Sequence, residues 1–124
     1  NITNMALEKT FNLNHMKKVR CSHILLSFDT ALNSTHSRGI YFAVFEAKEI
    51  IKELKNGRIS WEKAVKEHSA CEHSWYRDGD LGWFDLNDGV TPELYNACLI
   101  HEVGDLLDEP IESPYGMHII HRTG

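Results

Sequence analysis

Histidine and cysteine are the side chains through which this sequence could do chemistry near neutral pH. Eight histidines occupy positions 15, 23, 36, 68, 73, 101, 118 and 121. Imidazole changes charge near neutrality, so each is a candidate acid, base, ligand or hydrogen-bond partner. The three cysteines, Cys21, Cys71 and Cys98, are odd in number and far apart. No CxxC pair exists, which argues against a redox dithiol or a zinc knuckle. Three local groupings do offer ligands: Cys21 with His23, Cys71 with His73 and His68, and His118 with His121. None has a recognised zinc spacing, and on a strand His118 and His121 point to opposite faces. No metal site is expected. Free thiols suit a reducing compartment.

The elements that must position these residues can be read from periodicity. Val19 to Leu26 alternates as a strand, with Val19, Cys21, His23 and Leu25 on one face and Arg20, Ser22, Ile24 and Leu26 on the other. Both faces carry apolar residues, so the strand is expected at the centre of a sheet covered on both sides. Ser27 to Gly39 is rich in loop formers and long for a connection, which points to service at a site. Within Ile40 to Asn56, Ala43, Ala47, Ile50, Ile51 and Leu54 recur at helical spacing, and Gly57 is a natural stop. Ser60 is the expected N-cap of a second helix to about His68. Asp78 to Phe84 combines two glycines with a strand-like end. Thr91-Pro92-Glu93 opens a helix to about Ile100, with a capping hydroxyl, a proline in the first turn and an acid beside it. Pro110-Ile111 begins a short strand, Tyr115-Gly116 turns, and Met117 to Arg122 is the last strand, with His118 and Ile120 on one face. The order β-α-α-β-α-β-β is an α+β pattern.

A chain of 124 residues holds one compact domain. The division falls between a mixed polar segment at 1–17, read as a tail or short docking helix, and a domain at 18–124. Lys and Arg number 13 against 18 Asp and Glu, a net charge of −5. That balance argues against nucleic acid or an acidic membrane as the main partner. The longest apolar run, Ile40 to Phe45, is far too short to span a bilayer. No basic stretch followed by an apolar one opens the chain, so no signal peptide is visible; with the free thiols, a cytoplasmic setting is expected, and a monomer is the expectation for the domain. The start at Asn1 also fits a domain cut from a longer, possibly exported chain.

Several ordered motifs then resemble one known family. They are Cys21-Ser22-His23-Ile24-Leu25, Ser69-Ala70-Cys71 and Gly79-Asp80-Leu81-Gly82-Trp83-Phe84. Pro92-Glu93-Leu94 with Ala97 follows, and then Pro110-Ile111, Ser113, Tyr115-Gly116 and His118-Ile119-Ile120. In this order and spacing the chain from about Lys18 to Gly124 resembles the parvulin-type peptidyl-prolyl cis/trans isomerases. The resemblance implies a parvulin (FKBP-like) fold, a four-stranded antiparallel sheet surrounded by about four helices. It implies rotation about the peptide bond before proline, on proline-containing polypeptide substrates. It implies no metal and no organic cofactor.

The physics of that activity stands apart from the resemblance. The prolyl amide barrier is roughly 18–20 kcal/mol, and uncatalysed exchange takes tens to hundreds of seconds. A ~10⁴-fold acceleration needs about 5–6 kcal/mol of preference for the transition state. In that state amide resonance is lost, the nitrogen pyramidalises and the carbonyl oxygen becomes less negative. An apolar pocket for the ring, a less polar surround for the carbonyl and a hydrogen bond to the twisted nitrogen suffice.

The resemblance also assigns roles. His23 and His118 match a histidine pair beneath the site, which would set its shape and tautomers; the alternative is two structural histidines that stabilise the sheet. Cys71 matches a position facing the isomerising bond, and an electrostatic neighbour is preferred over a nucleophile, because bond rotation needs no covalent intermediate. Leu81, Val90 and Leu94 match the wall of the proline pocket, where the family usually shows Leu, Met and Phe. Phe84 joins this substrate-binding set or the core beside it. Ser113 stands where the family usually has Thr and can hydrogen-bond a site histidine. His101 replaces a usually apolar residue and has no assigned role.

One subgroup of the family reads phosphorylated Ser/Thr-Pro with a basic loop after the first strand. Here that loop, Ser27 to Arg38, carries one cation, Arg38, and one anion, Asp29, so no phosphate requirement is expected. The main expectation is an isomerase of X-Pro bonds in unfolded or flexible segments that assists folding. The alternative is a catalytically weak, client-binding module of the same fold, favoured by Val90 and Leu94 in place of larger side chains.

Overall fold

The computed structural model describes residues 17–124, so the N-terminal segment assigned to 1–17 lies, apart from Lys17, outside the described residues. The elements in chain order are β1 (Val19–Leu26), α1 (Ile40–Lys55), α2 (Trp61–His68), α3 (Glu72–Trp75), β2 (Asp80–Phe84), α4 (Pro92–Leu99), β3 (Ile111–Ser113) and β4 (Gly116–Arg122). A single 3₁₀ turn, Leu86–Asp88, joins β2 to α4. The α+β order expected from the sequence is the observed one, and the four-residue α3 before β2 is the further helix in the about four that the resemblance implies.

The four strands form one sheet in the order β2-β1-β4-β3, and every neighbouring pair is antiparallel. β1 and β4 are therefore central, and helices cover both faces. Ile24, Leu26, Met117 and Ile119 pack with Ala43, Ala47, Ile50 and Ile51 of α1 and Ala64 and Val65 of α2. On the other face Val19, Cys21 and Ile120 pack with Leu94, Tyr95, Ala97 and Cys98 of α4. Alternation along β1 sends its residues in turn to these two cores. Among the described residues no helix is long and apolar enough to cross a membrane.

The local signals act where the sequence places them. Ser60 Oγ accepts the Lys63 N–H at 3.2 Å and caps α2. Gly57, in the left-handed region at φ 70°, follows the last turn of α1. Thr91 sits at the N-cap of α4 but its hydroxyl makes no capping bond there. Proline at the first helical position lacks one of the amides that a helix start leaves unpaired, and its fixed φ suits the helix without a side-chain cap.

Candidate active site

β1 and β4 set the first two site residues. Their register pairs His23 with Ile120 and Leu25 with His118, so His23 and His118 are diagonal neighbours on the α4 face. Their rings lie nearly parallel, 5.1 Å apart at the centroids, and their Nδ1 atoms are 2.9 Å apart. His118 Nε2 lies 2.5 Å from Ser113 Oγ, which also accepts the Tyr115 N–H at 3.1 Å. All three side chains are buried.

Burial dictates the charge of this pair. It holds His23 at about 4, well below the usual histidine value. It also holds His118 well below that value, and the neighbouring His23 pushes in the same direction. Both rings are therefore neutral at physiological pH. A neutral pair shares one proton between its two Nδ1 atoms. When His118 Nδ1 donates, its bare Nε2 accepts the Ser113 hydroxyl, and only the His23 Nε2–H is left without a partner. When His23 Nδ1 donates, the bare His23 Nε2 and the Ser113 hydroxyl hydrogen are both left over. The first arrangement satisfies more of the buried polar atoms.

Cys71 arrives by a different route. Beyond β2 the edge of β1 is taken over by the segment after α2: the Ala70 N–H donates to the Leu25 carbonyl at 2.8 Å, and Ser69 Oγ accepts the Leu25 N–H at 3.1 Å. This pairing lays Cys71 beside the strand that carries His23. Just before β2, the Gly79 carbonyl accepts the His23 N–H at 2.9 Å. A Cβ on Gly79 would stand 2.4 Å from the His23 carbonyl oxygen, so only glycine allows this approach. Arg20 then clamps Asp80 with both arms, at 3.1 and 2.5 Å, and holds its carboxyl below the usual range. The same carboxylate accepts the Gly82 N–H at 2.9 Å and so fixes the turn that carries Leu81.

These elements enclose one groove of about 870 Å³. His23 and His118 belong to its lining with Cys71, Leu81, Val90 and Leu94. Two residues expected in the site stand behind this wall. Ser113 holds His118 from below. Phe84 is 1% exposed, packs edge-on against Tyr95 and belongs to the core under α4, outside the groove lining. Its place at the inner end of β2, opposite Val19, turns its ring away from the pocket.

The groove has further walls: the loop whose length pointed to a site, and two that sequence reasoning missed. The loop after β1 contributes Leu32 and His36, α3 contributes His73 and Trp75, and the entry to α4 contributes Thr91. The loop's length was the signal for its part. It folds over the site because the Asp29 N–H bonds the Arg38 carbonyl and the Leu32 N–H bonds the Pro114 carbonyl. Helix α3 is too short for any periodicity to betray it. The cation of the loop after β1, Arg38, is paired with Glu46 of α1. His101 also acquires a place: its Nδ1 lies 2.7 Å from the Ala97 carbonyl at the end of α4. Among the described residues no group of three or more His, Cys, Asp or Glu side chains is arranged to hold a metal ion.

The sequence and the fold that build this groove have counterparts among known proteins. Residues 23–124 match the family model described as Rotamase, the PPIC-type PPIASE domain. The chain is 33% identical over 123 residues to foldase protein PrsA 2 of Bacillus anthracis, covering 99% of this chain and 37% of that protein. It is 34% identical over 118 residues to peptidyl-prolyl cis-trans isomerase ESS1 of Saccharomyces cerevisiae, covering 89% of this chain and 68% of that protein. Among solved structures, peptidyl-prolyl isomerase ESS1 from Candida albicans superposes with a TM-score of 0.79 at 25% identity, over 98% of this chain and 74% of that one. The chain thus spans little more than a third of the foldase and about two thirds of the yeast isomerase. By motif, fold and family match, the chain belongs to the parvulin-type, or PPIC-type, family of peptidyl-prolyl cis/trans isomerase domains.

Proposed function

We propose that this domain rotates X-Pro bonds in unfolded or flexible polypeptide segments, assists their folding, and needs no phosphate before the proline. The observation that carries the reading is the uncharged floor: two buried, neutral histidines under a groove walled by Leu81, Val90 and Leu94, with Cys71 at its side. Rotation destroys amide resonance and drains charge from the carbonyl oxygen. A floor without fixed charges and an apolar grip on the ring favour that twisted state over the planar one. Cys71 offers a polarisable neighbour and forms no bond to the substrate. The loop that would read a phosphate has its one cation engaged by Glu46, which supports turnover of unmodified segments. In this reading the domain acts as a monomer in a reducing, cytoplasmic setting that suits its free thiols, and its net charge of −5 keeps nucleic acid out of its function.

Exchange NMR on X-Pro peptides, with and without phosphate on the preceding residue, tests it. Acceleration is expected for both forms at rates within about threefold of each other. Cys71→Ala is expected to lower kcat/KM by about 10- to 100-fold, or about 1.4–2.7 kcal/mol, with little change in stability. Exchange left at the uncatalysed rate, while the peptides still bind, would replace this reading with that of a client-binding module.

A further inference from the structure

Helix α1 turns Ala43, Ala47, Ile50 and Ile51 inward, and its outer face changes character along its length. Beyond residue 47 the outward positions are Lys48, Glu49, Lys52, Glu53 and Lys55, an ordinary solvated face. The first turns are different. Tyr41, Phe42 and Phe45 are 88%, 70% and 64% exposed. Phe45 lies three residues from Phe42 and four from Tyr41, so the three rings are neighbours on one surface. Isolated exposed apolar residues are commonplace, but a contiguous aromatic cluster marks an interaction surface. The cluster belongs to the longest apolar run of the sequence, Ile40 to Phe45, half of which the core does not use.

The patch borders the groove. Glu46, next to Phe45 and one turn after Phe42, pairs with Arg38. The other arm of Arg38 lies 3.5 Å from Nδ1 of His36, which lines the groove. On its second side Glu46 stands 3.6 Å from His68, just before the Ser69–Cys71 segment that forms the opposite wall. Leu32, 56% exposed on the groove-lining loop, extends the apolar surface at the mouth. One ion pair therefore separates the mouth of the groove from three open aromatic rings.

We propose that Tyr41, Phe42 and Phe45 form an accessory docking surface for apolar side chains of an unfolded polypeptide, flanking the X-Pro bond held in the groove. The inference rests on the reading that the groove takes X-Pro segments, and it names the preferred substrate as a long, apolar, unfolded chain. An extended chain leaving the groove past His36 reaches the patch within a few residues, at roughly 3.3 Å each. Three aromatic rings bury at most about 450–750 Å². That falls short of the roughly 800 Å² per partner of a stable dimer, but it suffices to retain a flexible segment.

The test uses the full 124-residue chain. Phe42→Ser/Phe45→Ser is compared with wild type and with Phe42→Leu/Phe45→Leu, which keeps the surface apolar. Three readouts are taken: turnover of an X-Pro tetrapeptide, catalysed refolding of a carboxymethylated protein limited by a prolyl bond, and fluorescence anisotropy of that unfolded chain. The serine pair is expected to weaken binding of the unfolded chain, and its catalysed refolding, five- to tenfold. Tetrapeptide turnover should stay within about twofold, and the leucine pair should stay within about threefold of wild type throughout. Unchanged binding of the unfolded chain, or an equal fall on both substrates, overturns the proposal. So does light scattering that shows a wild-type dimer dissolved by the serine pair with client binding intact, since that assigns the patch to a second copy. If wild type turns over neither substrate, the isomerase reading fails, and the anisotropy still decides the patch.

Discussion

The two faces of the sheet are made from alternate residues of the same strands, yet they hold different material. Toward α1 and α2 the central strands send Ile24, Leu26, Met117 and Ile119, all at most 4% exposed and all apolar, with the polar pair Ser22 and His121 only at one end, where His121 packs against Trp61 of α2. Toward α4 they send Val19, Cys21 and Ile120, but also His23, His118 and Arg122, with Ser113 alongside from β3. Each of these polar side chains is buried and each must find partners inside. Arg122 finds carbonyls: Cys98, His101 and Gly124 accept from its guanidinium, the first two at the negative end of α4. The histidines find each other and Ser113. One face is a plain store of stability, whereas the other spends stability to hold an uncharged polar floor under a groove.

The largest effect is expected on the plain face. Ile24→Ala removes a fully buried side chain from a close-packed layer and should cost about 2–5 kcal/mol in urea unfolding, the usual range for such truncations. The folded fraction should still turn over peptides within about twofold of wild type, because Ile24 points away from the groove. A cost under ~1 kcal/mol, or a matching loss of catalysis, would erase the division between the faces.

The polar face should declare itself through acid. His23 stands at about 4 when folded against 6.5 when free. Above 6.5 the ring is neutral in both states and its contribution to stability is complete. As pH falls from 6.5 toward 4, the unfolded chain takes up a proton that the folded one refuses, so stability falls. The loss from His23 alone is on the order of 3 kcal/mol, and His118 acts in the same direction. The Arg20–Asp80 pair holds its carboxylate below 3.8, so most of its own loss comes below pH 4, beneath the histidine window. Urea midpoints at pH 7, 6, 5 and 4 should slope downward in wild type. The slope should become shallower in His23→Gln, where His118 alone remains, and stay at the wild-type value in Ile24→Val. A flat wild-type profile would mean that the histidines are charged in the fold.

The sequence made the division legible only in part. Strict alternation places His23 with Cys21, and His118 with Ile120, and that alone predicts shared faces. The register that makes His23 and His118 diagonal neighbours is a property of the pairing of β1 with β4, which no single strand encodes. The reach of Cys71 to the site depends on Ser69 and Ala70 bonding to Leu25, a contact across more than forty residues that leaves no periodic trace. Phe84 shows the limit of motif reading: it shares a motif and a core cluster with Leu81, but Leu81 reaches the groove while Phe84 is wholly buried behind it. His101 had no sequence rationale because a side chain closing a helix end on the Ala97 carbonyl looks, in the linear chain, like any polar residue.

The smallest expected effect bears on how completely the polar face is satisfied. Thr91 has the right residue type for a helix cap and the right position, yet its Oγ1 is buried without a partner in the groove wall. Thr91→Val keeps the shape and replaces the hydroxyl with a methyl. If the hydroxyl is unpaired in the free protein, the change removes a desolvation cost and should raise stability by about 0.5–1 kcal/mol. If the same hydroxyl meets a backbone group of the substrate, kcat/KM on X-Pro peptides should fall about three- to tenfold at the same time. Stability gained and catalysis lost at one atom would mark the α4 face as built for a bound chain. A stability loss above ~1 kcal/mol would show that Thr91 is bonded in solution and that this face, like the other, is complete without substrate.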